Sequence, residues 1–244
     1  MLRIASYNVH KCVGMDRRHD PARIISVLAA LGADIVALQE VDFRLAPRRA
    51  ALPSAPLTSA TDLCPLPFAT GRQSLGWHGQ TILLHRRLKA SAVRRIALPG
   101  LEPRGAILAE IETEQGPMRI VGVHLGLIRR YRHMQLAAIA AAIGRRAPMP
   151  TAVIGDFNEW SRRDGKTPLP PGFRLHAPGK SFPAPRPIGT LDRVALSQGL
   201  HLKDAGVFTD ETARRASDHL PVWADIVMEG DTGAKPLATP PGPR

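Results

Sequence analysis

The densest group of reactive side chains follows the apolar run Pro150-Thr151-Ala152-Val153-Ile154, where Gly155 precedes Asp156 and Asn158 at i and i+2. The run reads as a buried strand that Gly155 breaks. Side chains alternate along extended backbone, so Asp156 and Asn158 can face one pocket at the carboxyl end of that strand. An acid and an amide placed together suit a site that holds a phosphate and an activated water. Gly, Asp and Asn are also the residues of an ordinary turn, and the stretch by itself leaves both readings open.

Similar groups stand at the ends of other apolar runs. Asn8 follows Leu2 to Tyr7, Glu40 follows Asp34 to Leu38, and His124 follows Met118 to Val123. Asp192 lies in the run Thr190 to Leu196, and Asp218 and His219 precede Val222 to Val227. Each alone has a plain structural reading: Asn8 as a turn amide, Glu40 as a helix cap, His124 as a packed histidine, Asp192 as a partner of Arg193. Their shared position at the ends of predicted strands favours a common site, because ligands of α/β sheets collect at strand ends.

The elements that would hold these groups are legible in order. Asp20-Pro21 starts a helix whose apolar face is Ile24, Ile25, Val27, Leu28 and Leu31, and Gly32 stops it. Residues 44–66 read as an irregular excursion with one short helix. Strands are predicted at Phe68 to Gly71, Gln80 to His85, Val93 to Leu98, Gly105 to Glu112 and Met118 to Val123, the last two as a hairpin. Arg129 to Arg146 predicts a strong helix. Ser161 to Pro187 is a second irregular excursion with one strand at Phe173 to Leu175. The order predicts two packed sheets with helices on their outer faces, in one domain over residues 1–228, followed by a flexible tail at 229–244.

Composition fits a globular chain: 244 residues, 44% hydrophobic and 22% charged. Net charge is +12, which attracts polyanions such as nucleic acid or anionic lipid headgroups; arginine-rich composition explains it equally well. With only Cys12 and Cys64, no disulfide framework is implied, and Cys12 is expected to pack rather than react. No signal-peptide pattern opens the sequence, and the apolar run Leu136 to Ile143 is too short to span a bilayer. A cytoplasmic monomer is the expectation.

The segments Ser6-Tyr7-Asn8-Val9-His10, Leu38-Gln39-Glu40-Val41-Asp42, Val123-His124-Leu125-Gly126, Gly155-Asp156-Phe157-Asn158, Leu191-Asp192-Arg193-Val194 and Ser217-Asp218-His219-Leu220-Pro221 occur in that order along almost the whole chain. In them the chain resembles the endonuclease/exonuclease/phosphatase superfamily, which includes deoxyribonuclease-I-like and exonuclease-III-like enzymes. The resemblance implies a four-layered α/β sandwich of two mixed β-sheets and Mg²⁺- or Mn²⁺-dependent hydrolysis of phosphoesters. It implies that Glu40 is the principal metal-binding acid, with Asn8 and Asp218 beside the metal. His219 matches the catalytic histidine and Asp192 the acid that orients it. Asp156 and Asn158 match the pair that handles water and phosphate, and His124 matches a second histidine on the phosphate or leaving-group side.

These roles suit the residue types. Hydrolysis of a phosphodiester puts further charge on oxygens that are already anionic, and a hard cation with oxygen ligands offsets it. Histidine exchanges protons near neutral pH, and a carboxylate on its far nitrogen fixes the tautomer and favours the cation. Asp156 is the candidate base for the attacking water.

Two departures bear on substrate. Gln80 stands where relatives often carry Asn, and residues 186–190 lack an arginine that some relatives place before Leu191-Asp192-Arg193. Gln80 and Arg129 are the candidate substrate contacts, and Trp77 and His78 form either a substrate wall or packing. The leading expectation is a nuclease acting on nucleic acid, with Arg129, Arg130, Arg132, Arg145 and Arg146 available to a phosphate backbone. The alternative is a phosphoesterase of phospholipid headgroups or small molecules. A non-catalytic binding protein of the same fold would be expected to have lost Glu40, Asp156 or His219, and all are present.

Overall fold

The computed structural model describes residues 1–45, 47–160 and 169–229. The chain runs β1 (Leu2–Asn8), α1 (Pro21–Leu31), β2 (Ile35–Gln39), α2 (Ser54–Ala60), β3 (Leu63–Pro65), β4 (Thr81–His85), β5 (Lys89–Ala97), β6 (Gly105–Thr113), β7 (Gly116–His124), α3 (Arg129–Gly144), β8 (Thr151–Asp156), β9 (Arg174–His176), β10 (Asp192–Leu196), β11 (Leu200–Val207), α4 (Glu211–Ala216) and β12 (Val222–Met228). These strands form two six-stranded sheets, ordered β11-β12-β1-β2-β4-β3 and β5-β6-β7-β8-β10-β9.

Each sheet is built around one parallel pair, β1/β2 in the first and β7/β8 in the second, and a helix joins the strands of each pair. α1 begins where the Asp20 side chain accepts the Ala22 N–H, and ends at Gly32 with φ 59°, which glycine adopts at little cost. Its Ile24, Val27, Leu28 and Leu31 pack on Tyr7 and Leu38 outside the first sheet. α3 buries Leu136 and Ile139 against Val121, Val123 and Val153 outside the second. Between the sheets lie Leu2, Ile4, Ile35 and Ile82 of the first, and Ile107, Ile120, Ile154 and Val194 of the second. Helix, sheet, sheet and helix make the four-layered sandwich.

Strand periodicity then places the polar ends. Leu2 and Ile4 face the interior between the sheets, so Asn8 continues the same face of β1. Met118 and Ile120 lead to His124, Ala152 and Ile154 to Asp156, and Leu196 and Val194 to Asp192 in the same way. Where the apolar filling stops, these side chains meet.

Several boundaries differ from expectation. Gly155 does not break β8: it pairs with Val123 and Arg193, and the strand continues to Asp156. A side chain there would place its Cβ 2.0 Å from the Val123 carbonyl oxygen, so glycine lets two strands approach. Residues 68–71 are a loop and not a strand; Phe68 is buried in the core, and the edge strand is β3, inside the stretch read as irregular. That stretch also holds its one short helix, α2. β5 starts earlier than predicted, at Lys89. β11 and α4 were not anticipated, because an edge strand with a register shift between Leu202 and Asp204 and a six-residue helix leave little periodicity. The predicted tail lies outside the described residues apart from Glu229, as does Ser161 to Pro168 of the second excursion.

Candidate active site

Asp156 is the hub. It is directly opposite His124 on β7 and Asp192 on β10, and all three are buried. Its Oδ2 lies 3.3 Å from Asn8 Nδ2, which donates to it, 3.5 Å from His124 Nε2 and 3.8 Å from His219 Nε2. Its Oδ1 accepts the Asn158 N–H at 2.8 Å. Asn158, at φ 50°, is turned so that its side-chain amide donates to the Leu125 carbonyl. Asn8 comes from the first sheet and Asp156 from the second, so the contact closes the sandwich at this end.

His219 is held from behind. Its Nδ1 lies 2.9 Å from Asp192 Oδ2, which also accepts the Ser181 hydroxyl at 2.5 Å. Phe182 packs against the ring, with centroids 4.8 Å apart. The Ser217 hydroxyl donates to the Asn8 carbonyl and ties this loop to the end of β1. Arg193, the neighbour considered as a partner for Asp192, bonds instead to the Thr190 and Glu159 carbonyls, because adjacent strand residues face opposite sides.

Burial and charge set the protonation states. Burial opposes a charged His219, but Asp192, then Asp156 and Asp218, outweigh it and raise its pKa to about 10. Asp156 is pushed up to about 7 by burial and then by Asp192, against the pull of His219 and its hydrogen bonds from Asn158 and Asn8. His124 goes the other way: burial, then Arg104, His219, Arg44 and Lys11 hold it well below its ordinary value, so it is a neutral imidazole at pH 7.

Glu40 and His124 share a cavity of about 190 Å³ with Lys11, Arg44, Arg48, His78 and Arg104. Glu40 follows β2 at φ 56°, and His10, Lys11 and Cys12 also adopt positive φ, an uncommon conformation for side-chain-bearing residues and a mark of functional sites. This turn carries the Lys11 N–H to the Glu40 carbonyl and the Lys11 ammonium to the Glu40 carboxylate. Burial works against ionisation of Glu40, yet Lys11, Arg44 and His10 hold its pKa below the usual carboxylate range. Asp218 is half-buried, with Oδ1 4.0 Å from His10 Nδ1.

A divalent cation fits this donor set. Glu40 is an ionised carboxylate in a cavity wall that already draws cationic side chains, and the oxygens of Asn8 and Asp218 stand near the same turn. The Asn8 Oδ1 accepts the His10 N–H, and the Asp218 Oδ1 stands 4.0 Å from His10 Nδ1, so both oxygens border the turn that carries Lys11 to Glu40. Carboxylate and amide oxygens are the donors that a hard divalent cation takes.

Gln80 and Arg129 do not line the cavity. The Gln80 amide is buried and donates to the Gly105 carbonyl, and Arg129 is exposed at the start of α3. Of the wall considered at residues 77–78, Trp77 packs where a Cβ on Gly105 would be 2.3 Å from its ring, while His78 lines the cavity. Arg132 is buried, bonded to the Leu127 carbonyl and to Glu159. Lys11, Ser181, Arg48 and Arg104 were missed. Lys11 adjoins the Asn8 segment and could have been suspected, but Ser181 and Arg104 sit in loops whose return to the site leaves no local signal.

The chain belongs to the endonuclease/exonuclease/phosphatase family, whose model matches residues 5–219. Enzymes of this superfamily are phosphoesterases and in general metal-dependent hydrolases. No curated protein matches the chain by sequence. Among solved structures, a functionally unknown conserved protein from Enterococcus faecalis V583 is 20% identical with a TM-score of 0.76, over 93% of this chain and 100% of that one. A mannosyl-6-phosphatase of Bacteroides thetaiotaomicron is 18% identical with a TM-score of 0.71, over 93% and 100%. D. rerio TDP2, in complex with a single-strand DNA product, is 16% identical with a TM-score of 0.70, over 93% and 99%. No helix among the described residues is long and apolar enough to cross a membrane.

Proposed function

We propose that this chain is a Mg²⁺- or Mn²⁺-dependent phosphodiesterase. The observation that carries the reading is the meeting of Asp156 with Asn8, His124 and the His219–Asp192 pair at one end of the sandwich. Asp156, with its pKa raised to about 7, accepts a proton from the attacking water near neutral pH. His219, kept cationic by Asp192, donates a hydrogen bond to a phosphoryl oxygen and offsets the charge that builds there. Asn158 keeps one amide hydrogen for the phosphate beyond its bond to Leu125. His124, being neutral, positions the ester without adding charge. Glu40, Asn8 and Asp218 would hold the metal, which supplies Lewis-acid stabilisation of the phosphoryl oxygens when bound.

For substrate, nucleic acid is supported by the net charge of +12. A lipid-headgroup or small phosphoester is supported by the arginines of α3. Arg132 is committed to the scaffold, and Arg145 and Arg146 line a different groove with Arg94 and Arg95. The cations beside Glu40 are Lys11, Arg44, Arg48 and Arg104, around a compact cavity.

Hydrolysis of bis-p-nitrophenyl phosphate with and without Mg²⁺ or Mn²⁺ tests the reaction. Glu40→Gln is expected to lower the rate at least about 100-fold and to weaken Mn²⁺ binding by calorimetry. Metal-independent turnover, or full activity in both Glu40→Gln and His219→Ala, would refute it. A panel of duplex DNA, RNA, phosphatidylglycerol and nucleotides separates the substrate classes.

A further inference from the structure

Large apolar side chains gather around the mouth of the site. Leu45 is 84% exposed, Leu101 80%, Leu127 67%, Trp160 57% and Ile128 52%, and Phe43 also stands out to solvent. Each sits within a few residues of a group that builds the site. Phe43 lines the cavity with Glu40, and Leu45 follows the cavity-lining Arg44. Leu101 precedes Glu102, which also lines the cavity and whose carboxylate accepts the Leu127 N–H at 2.9 Å, so the loops carrying Leu101 and Leu127–Ile128 are fastened together. Trp160 follows Asn158 and contacts Phe182, the residue packed on His219. Single exposed leucines are ordinary, but a ring of them on separate loops around one opening marks an interaction surface.

Cations are interleaved with this ring. Arg44 is between Phe43 and Leu45, and Arg129 and Arg130 follow Ile128, all exposed. Arg48 makes no salt bridge among the described residues and lines the cavity mouth. We propose that this rim docks the chain onto an anionic lipid surface, with the cavity opening toward the headgroups. The proposal deepens the phosphodiesterase reading and rests on it only for what is cleaved, not for the docking itself.

The composition of the rim selects this occupant. Leucine and isoleucine make up four of its six side chains and offer no flat ring for a base to stack on, and of the two aromatic ones Trp160 is engaged by Phe182, whereas single-strand binders rely on successive aromatic platforms. A second copy placed symmetrically would put two sets of these arginines into one interface, since a two-fold interface repeats one patch on both subunits. A bilayer surface satisfies both halves: aliphatic side chains enter the acyl boundary while arginines stay among anionic headgroups.

Vesicle co-sedimentation of the full chain tests this, comparing phosphatidylcholine alone with phosphatidylcholine carrying about 30% phosphatidylglycerol. The chain should bind the anionic vesicles and lose binding as NaCl is raised. Leu127→Ser with Ile128→Ser should weaken that binding at least about tenfold, with a thermal melt confirming the fold. If the double variant does not fold, Leu45→Ser reads the same contact from another loop. Equal, weak association with both vesicle types would overturn the proposal, as would unchanged binding by the variants. So would a dimer in solution that the variants turn into monomer. Hydrolysis of bis-p-nitrophenyl phosphate is measured separately in solution, so failure of docking and failure of catalysis are told apart.

Discussion

Replacing Asp192 by Asn should change the chemistry of the site while leaving its shape intact. Asp192 is fully buried, and its Oδ2 is 2.9 Å from His219 Nδ1. It is the largest influence raising His219 to about 10, and it also helps to raise Asp156 to about 7. An amide of the same shape removes that charge and leaves burial opposed only by Asp156 and Asp218, so the His219 pKa falls. Each tenfold loss of imidazolium at a fixed pH corresponds to about 1.4 kcal/mol. At pH 7.5 a smaller share of His219 is then the cation and its tautomer is no longer fixed, so the rate should fall by about 10² to 10⁴.

The pH profile distinguishes this from simple damage. In the parent chain the working state needs Asp156 ionised and His219 protonated, which defines a window between about 7 and about 10. Without Asp192 both limits move down, so the residual activity of Asp192→Asn should peak at more acid pH. Stability follows with its own sign. A raised histidine pKa contributes stability that is fully present below pH 6.5 and is lost as pH rises through about 10. The melting gap between parent and variant should therefore narrow across that range. A profile of unchanged shape, merely scaled down, would refute the assignment, and so would activity within about threefold of the parent.

Other perturbations follow from the same geometry. Gly155→Ala drives a Cβ to 2.0 Å from the Val123 carbonyl between β7 and β8, and should cost about 2–3 kcal/mol in a denaturant melt. Cys12 is fully buried, with its thiol pushed up to about 12, so Ellman's reagent should label only the partly exposed Cys64 until the chain is unfolded. Arg132→Met should destabilise by about 1–3 kcal/mol through its lost bonds to Leu127 and Glu159, whereas the exposed Arg129→Ala should stay within about 0.5 kcal/mol.

The site was legible because its residues end strands. A buried strand announces itself as a short apolar run, and period two turns Asn8, His124, Asp156 and Asp192 toward the space between the sheets, whereas Glu40, in phase with Leu38, could be named from its type and place after a strand and is turned by its positive φ. Contacts made by loops were not legible. Ser181 reaches Asp192 from a stretch rich in Pro and Gly, and Arg104 reaches the cavity from the loop after β5, with no periodicity in either to reveal direction. The positive φ of Lys11, which brings it to Glu40, is a property of tertiary fit and not of lysine. Gly155 was misjudged for a related reason. Glycine in a strand pattern signals either a break or a close backbone approach, and only the neighbouring Val123 carbonyl decides between them.

The placement of Asp156 opposite Asp192 is a poor choice for stability. They face each other across an antiparallel pair, both buried, where like charges oppose one another. The carboxyl of Asp156 is accordingly held above its ordinary 3.8, to about 7. A carboxylate with a raised folded pKa costs the native state progressively as pH climbs from its unfolded value through its folded one. Asp156→Asn escapes that cost. Its Oδ1 still accepts the Asn158 N–H, while its amide nitrogen meets the Asn8 amide less well, which offsets part of the gain. The variant should match the parent near pH 4 and exceed it by about 1–2 kcal/mol at pH 8, by urea denaturation, with hydrolysis reduced to background. A variant less stable than its parent at pH 8 would mean that Asp156 is held ionised by His219 at no net cost. In that case it would lack the raised basicity assigned to it.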